Sequence, residues 1–313
     1  MAQARQVAIG GLVLVAVILM AAILWVGVRI LPAAGAFHVQ PPVVHRVEVS
    51  PGQTLTLGVA TTPGVRVTST TGTQAVVTTT LRWRGRGKPP VAWSERQGAG
   101  GPVITLLRHP RFFWGCCSDA VGVRLALPAG VRLALNVANG PVTLAGGSAA
   151  ATVRDVNGAV SVFQYGGPLA LTVVTGGIAV RGLQDPGAMS VSCVNGTVSV
   201  SAAKVTGDLN VSTVNGTQRL SGMQLGGGFT LHSVNGAILY SGGAGRGGSV
   251  TTVNGAVDMR LAQPSTGHYV LVNRGSVSDW PATTGAELGQ IVLATTNGAT
   301  TLLPLNPTGG NGG

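Results

Sequence analysis

Apolar and polar residues alternate along most of this chain beyond residue 45, and the alternation restarts about every nineteen residues. Stepping back by twos from Asn215 gives Thr213, Val211 and Leu209, and from Asn235 gives Ser233, Leu231 and Phe229. The same positions hold Cys193, Val191 and Met189 before Asn195, and Val137, Leu135 and Leu133 before Asn139. A period of two with β-branched enrichment predicts strands, not helices. A second short alternation follows each corner, as in Val160 and Val162, Val198 and Val200, or Ile238 and Tyr240. Each repeat therefore predicts two strands joined at a corner.

The corner is Asn-Gly. Val-Asn-Gly occurs five times, at Asn157, Asn195, Asn215, Asn235 and Asn254, with degenerate copies at Asn139, Thr175, Asn273 and Asn297. A fixed period of this length is the mark of a solenoid. Glycine turns the corner without a Cβ clash, and the Asn amide can bond the equivalent amide one coil away. The expected fold is all-β: a β-solenoid, β-helix-like, of about nine coils of 18–20 residues over residues 130–304, carrying an Asn ladder of Asn139, Asn157, Asn195, Asn215, Asn235, Asn254, Asn273 and Asn297. Such stacks need covered ends. Pro304 and Pro307 mark the C-terminal edge, before a Gly-rich tail at 305–313 that reads as disordered.

Residues 45–129 show their own strand pattern, with Val47, Leu55, Leu57, Val65 and Val67 broken by Pro and Gly turns, and read as an N-terminal β cap region. Within it, residues 82–119 form an insertion rich in Arg and aromatic residues. Upstream, a short tail (1–6) precedes Val7–Leu31, whose only charge is Arg29, and a linker follows at 32–44. Its uncharged part, residues 7–28, would span about 33 Å as a helix, enough to cross a bilayer. Ala34-Gly35-Ala36 resembles a cleavage site, so a secretory signal is the competing reading; the apolar run exceeds the usual signal core, which favours an uncleaved anchor. Arg5 on one side and Arg29 and Arg46 on the other leave orientation unsettled by charge. The Thr-, Ser-, Gly- and Asn-rich body and the signal-like start favour a single-pass cell-membrane protein, N-terminus in and body outside.

Composition fits a surface-exposed β protein: 49 Gly in 313 residues, 9% charged, and a net charge of +11. The charge is concentrated in residues 82–111 and points to anionic partners. Arg82, Arg84 and Arg86 alternate, so a strand would place them on one face. Together with Trp83, Trp93, Arg108, Arg111 and Trp114 they are the candidate contact set for an anionic envelope polymer or lipid headgroups. The competing reading is a solvated basic hairpin whose Trp residues pack on the cap. Nucleic acid is not expected as a partner for a membrane-anchored chain.

Catalysis needs converging acids or a nucleophile with a base. The nine acids fall in different positions of the repeat: Asp155 lies two residues before its Asn, Asp208 seven before, and Asp258 four after. No hydrolase, zinc-protease or phosphate-loop motif occurs. The expectation is a non-enzyme with neither metal nor cofactor. Cys116 and Cys117 are adjacent and Cys193 sits in an inward column, so the odd count builds no disulfide framework. One further column stays open. Val156, Val174, Val194, Val214, Val234, Val253 and Val272 each precede a corner residue. They would face outward if the alternation persists to the Asn, and inward if the corner breaks it.

The run Val121-Gly-Val-Arg-Leu-Ala-Leu-Pro-Ala-Gly-Val-Arg-Leu-Ala-Leu-Asn-Val-Ala-Asn-Gly-Pro-Val-Thr-Leu144, followed by serial Val-Asn-Gly-x-Val units, resembles the bacterial putative adhesin family of DUF4097 domains. The resemblance covers approximately residues 43–303. It implies a β-solenoid without a catalytic site, often membrane-linked, with some members tied to envelope-stress responses. The Arg- and Trp-rich insertion departs from the pattern. Two function classes follow: an anchored extracytoplasmic adhesin or envelope-binding protein, or a structural scaffold or stress regulator resembling bactofilin rods, on the cytoplasmic face in that alternative. Covered ends discriminate against end-to-end polymerisation.

Overall fold

A computed structural model of the chain describes residues 37–60, 64–84, 91–108, 120–184, 186–262, 268–273 and 286–305. The apolar segment 7–31 and the tail beyond 305 lie outside them. Among the described residues, no helix is long and apolar enough to cross a membrane.

The described chain is all strand and turn, and its strands form two sheets of twelve. In the regular part, one strand of each coil lies in each sheet. The pairs are β8 (Arg132–Asn139) with β9 (Val142–Ala145), β10 (Ala151–Asn157) with β11 (Val160–Phe163), β12 (Leu169–Thr175) with β13 (Ile178–Arg181), and β14 (Met189–Asn195) with β15 (Val198–Val205). Then come β16 (Leu209–Asn215) with β17 (Gln218–Leu225), β18 (Phe229–Asn235) with β19 (Ile238–Gly242), β20 (Gly247–Asn254) with β21 (Val257–Leu261), and β23 (Glu287–Asn297) with β24 (Thr300–Pro304). All neighbours pair in parallel, with equivalent residues in register: Leu133, Ala151, Leu169, Met189, Leu209 and Phe229 form one line.

The core lies between the sheets, where these inward columns meet those of the other sheet. Val142, Val160, Ile178 and Val198 are each at most 1% exposed. No coil could bury its own apolar face, so stability comes from the coil above and below. Column volumes compensate locally. Phe229 stacks on Tyr240 at 5.6 Å, and its register partner in the next coil is Gly248, where a Cβ would sit 2.8 Å from the Phe229 ring.

Two departures from the expected coil order have a clear cause. Asn273 is not in the ladder. Its strand, β22 (His268–Asn273), lies on the far side of β23, with Asn273 opposite Leu293, while β20 pairs directly with β23 so that Asn254 meets Asn297. The Asn273 unit lacks Gly at the next position, and the chain carries it to the sheet edge as a covering strand. Among the described residues, the coils from residue 132 onward are therefore eight, not nine.

The second departure is at the other end. β2 (Thr54–Val59) and β3 (Gly64–Thr70) form a coil stacked in parallel on β8 and β9, and β6 (Gly101–Arg108) and β7 (Ala120–Pro128) form another stacked on β2 and β3. The region read as a separate cap thus supplies two further coils, out of chain order, and the stack reaches ten. These two coils have no Asn-Gly corner, so the repeat did not mark them. The true cap is antiparallel. β4 (Gln74–Arg84) and then β1 (Phe37–Glu48) extend the first sheet, called sheet A here, and β5 (Val91–Gly98) ends the other, sheet B. With strands about 4.8 Å apart, twelve make a rod on the order of 50 Å long.

Candidate functional site

At each regular corner the chain leaves sheet B and enters sheet A through Asn-Gly. The Asn amides form a run of side-chain bonds along the rod. Asn157 Nδ2 donates to Asn139 Oδ1 at 3.2 Å, Asn215 to Asn195 at 2.8 Å, Asn235 to Asn215 at 2.9 Å, Asn254 to Asn235 at 2.8 Å, and Asn297 to Asn254 at 2.8 Å. Thr175 interrupts the run between Asn157 and Asn195. Beneath it runs a backbone ladder, in which the corner Gly N–H of every coil from Gly140 to Gly255 donates to the next coil's Asn or Thr carbonyl, as Gly196 does to Asn215 at 3.0 Å. A Cβ on Gly176, whose φ is +138°, would lie 1.8 Å from the Gly158 carbonyl oxygen, which is why these corners require glycine.

The residue before each corner faces outward. Val156 is 48% exposed, Val174 and Val214 40%, and Val253 37%, with Val194 and Val234 half-buried between them. The alternation persists to the Asn, and the result is an apolar ridge along the outside of sheet B, beside the ladder. Val272 lies on β22, outside this alignment.

Two residues before the corner, the side chains point inward. Here Cys193 Sγ donates to Gly176 O at 3.3 Å, Thr252 Oγ1 to Gly236 O at 3.3 Å, and Thr295 Oγ1 to Gly255 O at 3.2 Å. Thr213 Oγ1 donates to Ser233 Oγ at 3.1 Å, and Gln218 Nε2 donates to Thr213 Oγ1 at 3.2 Å. Asp155 occupies the same column, buried between Val137 and Val173, and burial pushes its carboxyl pKa up to about 6. Burial raises the Cys193 thiol in the same way. Cys116 and Cys117 lie outside the described residues.

The candidate contact residues of the insertion separate. Arg82 is exposed on the outer face of β4. Trp93 turns inward: its ring stacks on His45 with centroids 3.8 Å apart and planes 7° apart, and it packs against the core with Val91. It sits half-buried at the rod's end, between edge strands β1 and β5. Trp83 and Arg84 end β4 and Arg108 ends β6, with only their backbones described, while Arg86, Arg111 and Trp114 lie outside the described residues.

Two arginines that sequence reasoning did not single out join Arg82 on that face. Arg66 on β3 and Arg124 on β7 are register partners on adjacent strands, both exposed, with Thr143 and Thr78 as their other neighbours. Each sits between inward apolar residues, so alternation alone turns it outward. Their adjacency depends on the out-of-order stacking of β7 on β3. Neither makes an ion pair among the described residues, where Arg260 with Asp258 at 3.6 Å is the ion pair seen.

A groove of about 420 Å³ opens on the opposite side, where the ends of β3, β7 and β9 meet the turns into the next coils. Ser69, Pro128, Val131, Gly147 and Tyr165 line it. Tyr165 donates to Ala149 O at 2.5 Å, and burial raises its pKa to about 12, so it stays neutral. Among the described residues, no carboxylate, histidine or basic side chain lines this groove. Among the described residues, no three His, Cys, Asp or Glu side chains gather as a metal site would require.

No family model matches the chain, and no curated protein matches it either. Several solved structures are similar. A putative adhesin from Parabacteroides merdae is 13% identical with a TM-score of 0.44, over 84% of this chain and 96% of that one. A putative adhesin from Bacteroides fragilis is 9% identical with a TM-score of 0.36, over 85% and 98%. A putative cell adhesion protein from Clostridium sporogenes is 6% identical with a TM-score of 0.28, over 85% and 100%.

Proposed function

We propose that this chain is a membrane-anchored, non-catalytic rod of the cell envelope, tethered by residues 7–31 with its body outside, that makes adhesive contacts through the long outer face of sheet B. The observation that carries this reading is the Val ridge. Six valines on successive coils, from Val156 to Val253, share an outward position that a water-facing sheet would fill with polar residues. The acids support a binding role over a catalytic one. Asp155 is inside the stack, Asp208 accepts from the Gly228 N–H at a turn, and Asp258 pairs with Arg260 on the other sheet. The antiparallel cap at one end and the strand added to sheet B at the other speak against a polymerising scaffold, with β24 left as the edge of sheet A among the described residues. β1, with Pro41 and Pro42, and β5 lie across one end, and β22 covers the last coil of sheet B at the other.

The test is adhesion of intact cells expressing the full chain, against the variant Val174→Lys, Val194→Lys, Val214→Lys. Reduced attachment at unchanged surface level is expected. Protease shaving of a C-terminal tag on the same cells reads the placement. A tag protected until lysis overturns the envelope reading and points to the inner-face scaffold or stress regulator.

A further inference from the structure

The strand register gathers chain crossings at one corner of the rod. β1 begins at Phe37 opposite Arg84, where β4 ends; Arg82 faces Ala120, where β7 begins; and Val91 faces Arg108, where β5 starts and β6 ends. The polypeptide therefore enters the fold at the end of sheet A that also carries its densest positive charge. Arg46, Arg66, Arg82 and Arg124 are all exposed on the outer face of the four strands β1, β4, β7 and β3. Arg66 and Arg124 stand directly side by side, about 4.8 Å apart at the backbone. Like charges at paired positions repel and weaken a sheet, and an anion shared between the two guanidinium groups removes that repulsion. Apolar side chains are interspersed on the same face. Val39, opposite Arg82, is 71% exposed, and Val44, opposite Thr78, is 47% exposed.

We propose that this face docks on anionic lipid headgroups of the bilayer that holds residues 7–31, an inference that rests on the anchoring reading above. Five residues, 32–36, separate the apolar run from β1 and reach about 18 Å at full extension. The corner is thereby held close to the headgroup layer, and sheet A's basic face extends from it over the next three strands. Guanidinium groups bind phosphate bidentately, and isolated valines beside them can enter the interface, the combination that peripheral membrane-binding surfaces use. The fit is to negatively charged phosphate groups, with Thr78 and Thr143 as hydroxyl donors on either side of the arginine pair. Farther along sheet A the column that Arg66 begins runs through Thr143, Ser161, Ala179, Ser199, Arg219, Leu239 and Asp258, where a single arginine is followed by an acid and no two arginines are paired. The paired arginines belong to the tethered end.

The experiment is arginine-specific labelling with phenylglyoxal of the full chain in lipid nanodiscs, read residue by residue by mass spectrometry. One disc contains phosphatidylcholine alone and the other a mixture with phosphatidylglycerol. Each basic residue near an anionic surface gains about 1 kcal/mol, so labelling of Arg66 and Arg124 should fall roughly fivefold in the anionic disc. Arg181 and Arg219, on the same sheet but farther along the rod, should label equally in both. Equal labelling of Arg66 and Arg124 in both discs overturns the proposal while leaving the anchor intact. Equal protection in detergent by inorganic phosphate alone overturns it in favour of a free anion. Failure of the chain to enter either disc overturns the anchoring reading itself, and the docking proposal with it.

Discussion

Replacing Asp155 with threonine should stabilise the rod at neutral pH. Asp155 is 2% exposed, and among the described residues neither carboxylate oxygen has a hydrogen-bond partner. Its register neighbours are Val137 and Val173, and a Cβ on Gly158 would come 2.4 Å from Oδ2, so the group is enclosed by apolar side chains and the corner backbone. Burial raises its pKa from 3.8 to about 6, and the Asn157 and Val156 N–H groups, which face it without completing hydrogen bonds, offset only part of that. The folded chain thus prefers the protonated acid. Its stabilising contribution is complete below about pH 4 and is lost as pH rises through about 6. A shift of about two units corresponds to ~3 kcal/mol. Thr252 and Thr295 show what the column prefers, a hydroxyl donating to the previous coil's corner carbonyl, and threonine at 155 has Gly140 O as the equivalent acceptor. Guanidinium unfolding of the full chain in mild detergent, at intervals from pH 4 to 8, should show Asp155→Thr more stable than the parent by about 3 kcal/mol at pH 7.5, with the difference shrinking to within ~1 kcal/mol at pH 4. A difference that does not change with pH would refute the reasoning, since it would mean the carboxylate is solvated or paired in the fold.

Asn215→Ala removes a donor to Asn195 and an acceptor for Asn235, and should lower stability by about 1–2 kcal/mol in a thermal melt; the exposed setting keeps the loss modest. Gly176→Ala drives a Cβ to 1.8 Å from a backbone oxygen and should cost more than about 3 kcal/mol, or leave the chain unable to accumulate folded, as followed by limited proteolysis. Asn297-Gly298 should deamidate fastest among the ladder's Asn-Gly pairs. The Gly N–H that must attack the Asn side chain is bonded to the next coil at 2.9–3.0 Å for Gly140, Gly158, Gly196, Gly216, Gly236 and Gly255, whereas Gly298 N–H has no acceptor among the described residues. One such bond lost corresponds to roughly a five- to tenfold rate difference, which peptide mapping after incubation at pH 8 measures.

Local periodicity was enough to identify strands, inward columns and corners. The physical reason is that a parallel stack repeats one coil's environment, so each column reports its burial in the sequence: Leu133, Met189 and Leu209 read as core, and all three are buried. The Asn-Gly pair marked the coils because its backbone demand recurs at every corner. The outward turn of the Val ridge was not decided by pattern, since alternation and a corner inversion predict opposite faces at Val156 or Val214. Nor was Asn273 distinguishable from a degenerate corner. Only the pairing of β20 with β23 shows that its strand was displaced to the edge. The two coils built from β2, β3, β6 and β7 were hidden for a related reason: they stack out of chain order, and strand order is a property of long-range hydrogen bonding that no local window contains. That order places Arg124 beside Arg66, and the end strands stack Trp93 on His45. The composition of the rod was therefore written in the chain, while the arrangement of its tethered end was decided by which sheet edge remained free to pair.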